Sequence, residues 1–224
     1  MKGALPPGGR GLAVGVRSGA GRTPSSRRWL ERQLNDPYVR AAQADGWRSR
    51  AAFKLVELDE KYGLIPRGGR VLDLGAAPGG WTQAALRRGA GAVVGIDLLA
   101  IVPLSGAIFV QGDFNDPEMP PRLTALLGGR ADLVLSDLAP NTTGHTATDN
   151  IRITLLAELA LDLAFAITNP GGAFVAKLFQ GGAERGMLER MKRGFAQVRH
   201  AKPPASRKES RELYVVATGF RGDA

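Results

Sequence analysis

Cysteine is absent from this chain, and histidine occurs only twice, at His145 and His200. Disulfide bonds, thiolate zinc sites and cysteine nucleophiles are therefore excluded, and no metal site is predicted. Any catalysis must then use lysine, carboxylate or hydroxyl groups. No apolar stretch approaches the roughly 20 residues of a membrane helix, so no membrane association is predicted either.

Acidic residues are scarce at the amino-terminal end. Residues 1–50 carry ten Lys or Arg and three acids, whereas the other 174 residues carry twenty and eighteen. We expect residues 1–25 to be a flexible basic extension that helps to bind a polyanion, because each neutralised phosphate releases counterions. An organelle transit peptide is a second interpretation of the acid-free, Arg- and Ser-containing composition. The many Gly and Pro residues favour the extension of a bacterial cytoplasmic protein.

The remaining chain, residues 26–224, has the pattern of a single α/β domain. Strand-like and helical segments alternate, and Gly63 is expected to end a helix that carries Lys54. The predicted strands are Val71–Ala76, Ala92–Leu98, Ala107–Gln111, Ala131–Ser136, Ala173–Phe179, Gln197–His200 and Leu213–Thr218, with a long helix over Asp149–Thr168. This order predicts a mostly parallel seven-stranded sheet with an antiparallel edge strand and helices on both faces.

A glycine-rich turn follows the first predicted strand, in the segment VLDLGAAPGGW at residues 71–81. Its G-x-x-x-G-G spacing matches neither the dinucleotide fingerprint nor the lysine-containing phosphate loop. Pro78 removes a backbone donor, which suits a ligand without a pyrophosphate, such as S-adenosylmethionine. Gly75 is a candidate cofactor contact in this turn. The alternative is a plain tight turn between a strand and a helix.

Charged residues mark the ends of the later strands, where ligands bind in an open α/β sheet. Asp97 is placed to accept hydrogen bonds from ribose hydroxyls, and Asp113 from an adenine amine. Both are alternatively caps of the following helices. Asp137 and Lys177 interrupt apolar runs, where burial is costly unless charges are paired. They form either a structural ion pair or a catalytic pair in a cleft.

Six motifs extend the pattern beyond the glycine turn: RSRAAFKL, DLGAAPGGW, QGDF, SDLAPN, AKLFQG and SRELYVVATGF, in this order. With them the chain resembles the FtsJ-type ribosomal RNA 2′-O-ribose methyltransferases over about residues 24–219. The resemblance implies a Rossmann-like methyltransferase fold, S-adenosyl-L-methionine as cofactor and a uridine of 23S rRNA as substrate. The implied partner is 23S rRNA or the 50S ribosomal subunit, bound by a cytoplasmic monomer. The longer extension before Thr23 and a slightly short loop after Gly89 depart from the family pattern.

The resemblance also implies residue roles. It places a catalytic tetrad at Lys54, Asp137, Lys177 and Glu212, and cofactor contacts at Gly79, Trp81, Asp97, Asp113 and Asp137. We expect Lys177 to take the proton of the attacking hydroxyl. The acids Asp137 and Glu212 favour its ammonium form, so we expect it to act as a base only once cofactor and RNA are bound and water is excluded.

The RNA surface is expected to be basic. Its candidate contacts are Arg27, Arg28, Arg48, Arg50 and the loop Lys202–Arg211. Base methylation is less favoured than ribose methylation, because the turn at Asp137 lacks the aromatic residue that holds a flipped base. A non-catalytic RNA-binding assembly factor and a nicotinamide-dependent oxidoreductase are the other functions considered. The four matched charged residues argue against the first, and the glycine spacing argues against the second.

Overall fold

The structure, a computed structural model, describes residues 30–31, 34–139, 144–180 and 185–222. The predicted extension at residues 1–25, together with Arg27 and Arg28, lies outside the described residues. The helices are α1 (Pro37–Ala44), α2 (Ala51–Tyr62), α3 (Gly80–Arg87), α4 (Met119–Leu127), α5 (Thr146–Ile167) and α6 (Arg185–Gly194). The strands are β1 (Arg70–Leu74), β2 (Ala92–Asp97), β3 (Ala107–Gln111), β4 (Ala131–Ser136), β5 (Thr168–Phe179), β6 (Phe195–Ala201) and β7 (Glu212–Phe220).

The strands form a seven-stranded sheet with the order β3-β2-β1-β4-β5-β7-β6. The first five strands are parallel to one another, and β7 pairs antiparallel with both β5 and β6. The chain moves outward in one direction from β1 to β3 and in the other from β4 onward. The strand order therefore reverses between β1 and β4, which is where an α/β sheet leaves a crevice for a ligand.

Helices cover both faces of the sheet, as the sequence predicts. One apolar core packs α4, α5 and α6 against the sheet and contains Leu123, Leu161 and Met191. The other packs α2 and α3 against the opposite face and contains Leu55 and Trp81. Both faces of the central strands are thus buried, which explains why their sequences are almost continuously apolar.

The predicted mostly parallel sheet is confirmed, and the position of the antiparallel strand is refined. β7 lies one place in from the edge, and β6 forms the edge itself. The alternating side chains of β7 are buried on both faces, with Val215 in one core and Tyr214 and Val216 in the other. A strand buried on both faces is stable in the interior of a sheet, whereas Gln197 and Arg199 on β6 are exposed.

The element boundaries differ from the prediction mainly at β5. This strand begins at Thr168, five residues before the predicted start, and follows α5 without a loop. The sequence does not predict this extension, because Pro170 and the two glycines after it have low strand propensity. The extra segment pairs Thr168 with Ala131 across an irregularity in the β4–β5 register. Gly63 ends α2 in the left-handed conformation, with φ of 61°, as predicted.

Among the described residues, no helix has the length and apolar character needed to span a membrane.

Candidate active site

Two loops meet where the strand order reverses, one after β1 and one after β4. Gly75 has φ of 75°, and a Cβ at this position would lie 2.6 Å from Cδ2 of Leu138. A side chain here would therefore push on the residue next to Asp137. The contact explains the glycine in physical terms and joins the predicted cofactor turn to the predicted catalytic strand.

The glycine turn presents main chain rather than side chains. Gly79 is the N-cap residue of α3, with φ of 101°, and no described side chain caps this helix. The first N–H groups of α3 therefore lack a side-chain acceptor and remain suited to a ligand carboxylate. The peptide bond between Ala77 and Pro78 is cis.

Asp97 lies beside the glycine turn, where the sequence predicts a cofactor contact. One carboxylate oxygen accepts from the N–H of Ala77 at 2.9 Å, and the other accepts from the N–H of Leu99 at 2.9 Å. Asp97 thus organises two loops and does not cap a helix. Its oxygens retain lone pairs for hydroxyl donors, because a carboxylate accepts about four hydrogen bonds.

Asp113 lies at the outer rim of the same edge. It is exposed, and its Oδ1 accepts from the backbone N–H of Asn115 at 2.9 Å and from the side-chain amide of Asn115 at 3.0 Å. This is an Asx turn rather than the helix cap considered as an alternative. The carboxylate is therefore oriented and accessible, although it does not contact the residues of the glycine turn.

Trp81 lies inside the protein. Its side chain is only 3% exposed, its indole N–H donates to the carbonyl of Ala51 at 2.8 Å, and its ring centroid lies 5.6 Å from that of Tyr214. The side chain therefore packs between α2, α3 and β7. Since Trp81 is the second residue of α3, its backbone N–H is the group that faces the ligand side of the turn.

Asp137 and Lys177 are brought together as predicted. Nζ of Lys177 lies 3.1 Å from Oδ1 of Asp137 and donates to the backbone carbonyl of Asp137 at 2.7 Å. Both acceptors that the described residues offer to this ammonium group belong to one residue, which leaves one of its three donors for another oxygen. Lys177 is 8% exposed and lies at the carboxyl end of β5.

Lys54 and Glu212 form the second ion pair of the predicted tetrad. Nζ of Lys54, on α2, lies 2.8 Å and 2.9 Å from the two carboxylate oxygens of Glu212, the first residue of β7. Both side chains are nearly buried, with exposed fractions of 9% and 13%. The pair therefore holds a helix of one sheet face against the end of β7.

Tyr214 joins the two ion pairs, and the sequence reasoning missed it. Its hydroxyl donates to Oδ1 of Asp137 at 2.7 Å and accepts from Nζ of Lys54 at 3.2 Å. Tyr214 is fully buried and lies directly opposite Lys177 in the β5–β7 register. The signal was present in SRELYVVATGF, because residues two apart on a strand share a face and Tyr214 therefore lies beside Glu212.

These five side chains form one continuous chain of contacts, Glu212–Lys54–Tyr214–Asp137–Lys177. Two ammonium groups and two carboxylates balance, so the cluster is electrically neutral while Tyr214 keeps its proton. Burial costs of single charges are large, and pairing and hydrogen bonding offset them here. We call this group the catalytic cluster, after the role proposed for it below.

The charges in the catalytic cluster fix the protonation of its middle members. Burial alone would raise the pKa of Asp137, but the ammonium groups of Lys177 and Lys54 and the hydrogen bond from Tyr214 outweigh it, so this pKa lies below its usual range. Burial and the neighbouring carboxylates, Asp137 first, raise the pKa of Tyr214 well above 10. Asp137 is therefore a permanent anion that accepts hydrogen bonds, and Tyr214 is a permanent donor to it.

Asp73 is a buried carboxyl group beneath the glycine turn. It is 1% exposed, and its Oδ2 accepts from the hydroxyl of Thr82 at 2.7 Å, whereas its Oδ1 has no hydrogen-bond partner among the described residues. Burial raises its pKa to about 7, partly opposed by the hydrogen bond from Thr82 and assisted by the negative charge of Asp137. The sequence reasoning assigned no role to this residue.

The described residues among the predicted RNA contacts also bind other parts of the protein. The guanidinium of Arg48 donates to the carbonyls of Val102, at 2.5 Å, Pro103, at 2.6 Å, and Pro78, at 3.3 Å. Arg48 therefore links the loop after β2 to the glycine turn. Arg50 and the loop at residues 202–211 also make internal contacts.

Comparison with known proteins identifies the family to which the chain belongs. The profile of the FtsJ-like methyltransferase family matches residues 47–220, which include every member of the catalytic cluster. The chain belongs to this family. It is therefore a methyltransferase, with S-adenosylmethionine as its cofactor.

Curated relatives extend the similarity over nearly the whole chain. A protein of Granulibacter bethesdensis named ribosomal RNA large subunit methyltransferase E is 66% identical over 96% of this chain and 94% of its own length. One of the same name from Acidiphilium cryptum is 66% identical over 96% of both chains. A solved ribosomal RNA methyltransferase of Plasmodium falciparum is 30% identical, with a TM-score of 0.71, and covers 79% of this chain and 100% of its own.

The residues at the glycine turn fit S-adenosylmethionine. The first N–H groups of α3 suit the carboxylate of the amino-acid moiety, and the carboxylate of Asp97 suits ribose hydroxyls. In the described part of the chain, no group of three or more His, Cys, Asp or Glu residues has the arrangement of a metal site.

Proposed function

We propose that this FtsJ-like methyltransferase transfers a methyl group to the 2′-hydroxyl of a uridine in the 23S rRNA of the large ribosomal subunit. The observation that carries the proposal is the catalytic cluster, in which Lys177 is oriented by Asp137 beside the glycine turn. The names of the relatives from Granulibacter bethesdensis and Acidiphilium cryptum support large-subunit rRNA as the substrate.

Methyl transfer to a hydroxyl requires in-line attack and loss of the hydroxyl proton. S-adenosylmethionine supplies the methyl group from a sulfonium centre. As an ammonium group, Lys177 has one donor free of Asp137, which is suited to hold the 2′-oxygen. To take the hydroxyl proton, Lys177 must first lose one of its own protons to solvent, before RNA closes the cleft. Asp137 orients Lys177 through two contacts, one to its carboxylate and one to its backbone carbonyl.

Lys54 has a different task, because Glu212 holds it with both carboxylate oxygens. The hydroxyl of Tyr214 is its third acceptor, so Lys54 has no donor left for the substrate and is suited to hold the catalytic cluster in place. The catalytic cluster thus separates proton removal, at Lys177, from the supporting ion pair of Lys54 and Glu212.

A non-catalytic RNA-binding factor is the competing function. A binding surface has no need of four charged groups buried in a cleft, since burial makes each of them costly and reduces its reach toward phosphates. The neutrality of the catalytic cluster argues in the same direction. A surface built only for affinity would be expected to keep its cations unpaired.

The proposal is tested by mapping 2′-O-methyl groups in large-subunit rRNA from cells with and without this protein. In parallel, the purified protein is given S-adenosylmethionine and either 23S rRNA or 50S subunits from the cells that lack it. One methylated uridine ribose should disappear in the cells and be restored in vitro. An unchanged map, or a methyl group found on a base, would overturn the proposal.

A further inference from the structure

The loop that leads into β7, residues 202–211, is tied to the helical segment before β1 by a buried acid. Asp36 is 8% exposed, and its Oδ2 lies 3.1 Å from Nε of Arg50 and 3.1 Å from Nη2 of Arg207. Its other oxygen accepts from the N–H of Tyr38 at 3.0 Å and caps α1. We call Asp36, Arg50 and Arg207 the arginine clasp.

A second connection lies next to the arginine clasp. The backbone N–H of Ala205, at the middle of the loop, donates to Oε2 of Glu57 at 2.7 Å, and its carbonyl accepts from Nη2 of Arg50. The hydroxyl of Tyr38 donates to Oε1 of Glu57 at 3.1 Å. Ala205 is fully buried, so α2 side chains satisfy both polar groups of a loop residue that water cannot reach.

The arginine clasp lies close to the catalytic cluster because both involve the first turn of α2. Arg50 is the N-cap residue of α2, and Lys54 is one turn further along the same face. Arg50 holds the loop at Ala205, and Lys54 holds the chain at Glu212, where the loop ends. One helical turn therefore fixes both the middle of the loop and its junction with β7.

The arginine clasp also keeps two cations in contact with an internal carboxylate. Arg50 and Arg207 face the same carboxylate oxygen of Asp36. Nζ of Lys202 donates to the carbonyls of Lys208 and Ser210, and Arg211 donates to the carbonyl of Gln180. The loop thus has a fixed shape in which several positive groups serve internal contacts.

We propose that Asp36 is a positioning residue for RNA, which holds the loop at residues 202–211 in the orientation that presents a ribose to the catalytic cluster. The inference rests on the proposed function. Asp36 acts through Arg50 and Arg207. Because it forms ion pairs with both, their guanidinium groups make fewer unselective contacts with RNA phosphates. Asp36 therefore favours productive docking over general affinity for RNA.

The chain provides a matched control at the other end of α2. Asp59 is 6% exposed, lies 2.6 Å from Nε of Arg88 and accepts from the N–H of Ile65 at 2.7 Å. It is a buried acid with an arginine and a backbone partner, as Asp36 is, but it contacts neither the loop nor the catalytic cluster. Loss of its charge should affect stability alone.

The test compares Asp36→Asn and Asp59→Asn in the full chain with 23S rRNA or 50S subunits as substrate. Asparagine preserves the side-chain shape and remains a good N-cap, so α1 is retained. For Asp36→Asn we expect kcat/KM for RNA to fall at least about 10-fold, with the Kd of S-adenosylmethionine within about 2-fold. The salt dependence of RNA binding should steepen by about one to two phosphate contacts, because two arginines are released.

Asp59→Asn should change neither kcat/KM nor the salt dependence. Unchanged kcat/KM or unchanged salt dependence in Asp36→Asn, or an equal loss in Asp59→Asn, would overturn the inference. If Asp36→Asn does not fold, Arg207→Gln replaces it, with Arg88→Gln as its control. Arg207→Gln should lower kcat/KM at least about 5-fold without steepening the salt dependence, since the released charge is absent. Unaltered kcat/KM there counts against the inference.

Failure of the proposed function would look different. If the wild-type protein binds S-adenosylmethionine but methylates no RNA, the proposed function itself is overturned. If the wild-type protein methylates the ribose and the Asp36→Asn variant is equally active, only the role of Asp36 is overturned.

Discussion

The glycine turn after β1 and the catalytic cluster around Asp137 lie side by side at one edge of the sheet, but they consist of different chemical groups. The turn uses backbone N–H groups, left-handed glycines and acids that range from half-buried, at Asp97, to exposed, at Asp113. The catalytic cluster uses charged side chains that are mostly buried, with exposed fractions from 8% at Lys177 to 17% at Asp137. A cofactor that enters and leaves in each cycle suits the open side, whereas proton removal needs fixed groups in a place that excludes water.

The strongest way to separate the two regions is Lys177→Ala. Because Lys177 belongs only to the catalytic cluster, methyl transfer should fall by about 10³-fold, within the usual range for a lost general base. The Kd of S-adenosylmethionine should stay within about 3-fold, measured by calorimetry. Lys192→Ala, at an exposed lysine of α6, is the control. Transfer at near wild-type rate would show that Lys177 is not the base.

Gly75→Ala tests where the two regions touch. A Cβ at Gly75 must displace Leu138, and the positive φ adds strain of about 1–2 kcal/mol. We expect the Kd of S-adenosylmethionine to rise by about 30-fold and kcat to fall as well, since Leu138 adjoins Asp137. Gly63→Ala carries similar strain, at φ of 61°, with no atom within 4 Å. It should lower Tm and leave cofactor binding unchanged, and equal binding losses in both variants would contradict the steric argument.

Tyr214→Phe removes only the hydroxyl that connects the two ion pairs. The ring that packs against Trp81 is retained, so the fold should persist. Asp137 and Lys54 each lose one hydrogen bond, and we expect kcat to fall by about 10-fold, with little change in cofactor affinity. Steady-state kinetics measures both quantities, and Tyr62→Phe, on a tyrosine outside the catalytic cluster, serves as control. An unchanged kcat would mean that the two ion pairs work independently.

Asp73→Asn gives the smallest expected effect and tests the buried carboxyl group beneath the glycine turn. The folded protein holds a proton on Asp73 up to about pH 7, whereas the unfolded chain releases it near pH 4. Stability from this group is therefore fully present below about pH 4, declines as pH rises from about 4 to 7 and is lost above that; the last part, about 1 kcal/mol, falls between pH 6 and pH 8. Urea unfolding at the two pH values should show this extra decline in the wild type but not in Asp73→Asn. The same decline in both proteins would refute the assignment.

Much of the fold could be predicted because its signals are local. β3 and β4 have the predicted boundaries, and α5 begins three residues and ends one residue from its prediction. The start of β5 was missed because Pro170 and its neighbouring glycines disfavour a strand unless a partner fixes them, as Ala131 fixes Thr168. Pairing between distant segments decided that boundary.

The site divides in the same way. The glycine turn is contiguous in sequence, and the positive φ of Gly75 and Gly79 agrees with the spacing that predicts a cofactor. The tetrad was reached through resemblance to a family, and its geometry needs four elements that the sequence separates by up to 158 residues. Tyr214 was missed because a tyrosine in an apolar strand looks like a core residue until its hydroxyl is seen between Lys54 and Asp137.

By itself, the sequence determined the α/β class, the glycine turn and the chemistry available in a chain without cysteine. These follow from backbone freedom, periodicity and composition, which act over a few residues. Only the tertiary structure decided that β7 enters the sheet beside β5, which sets Tyr214 opposite Lys177 and Glu212 within reach of Lys54. The two ion pairs can be buried here because folding removes their charges from water together, whereas a lone charge in the same place would be too costly to bury.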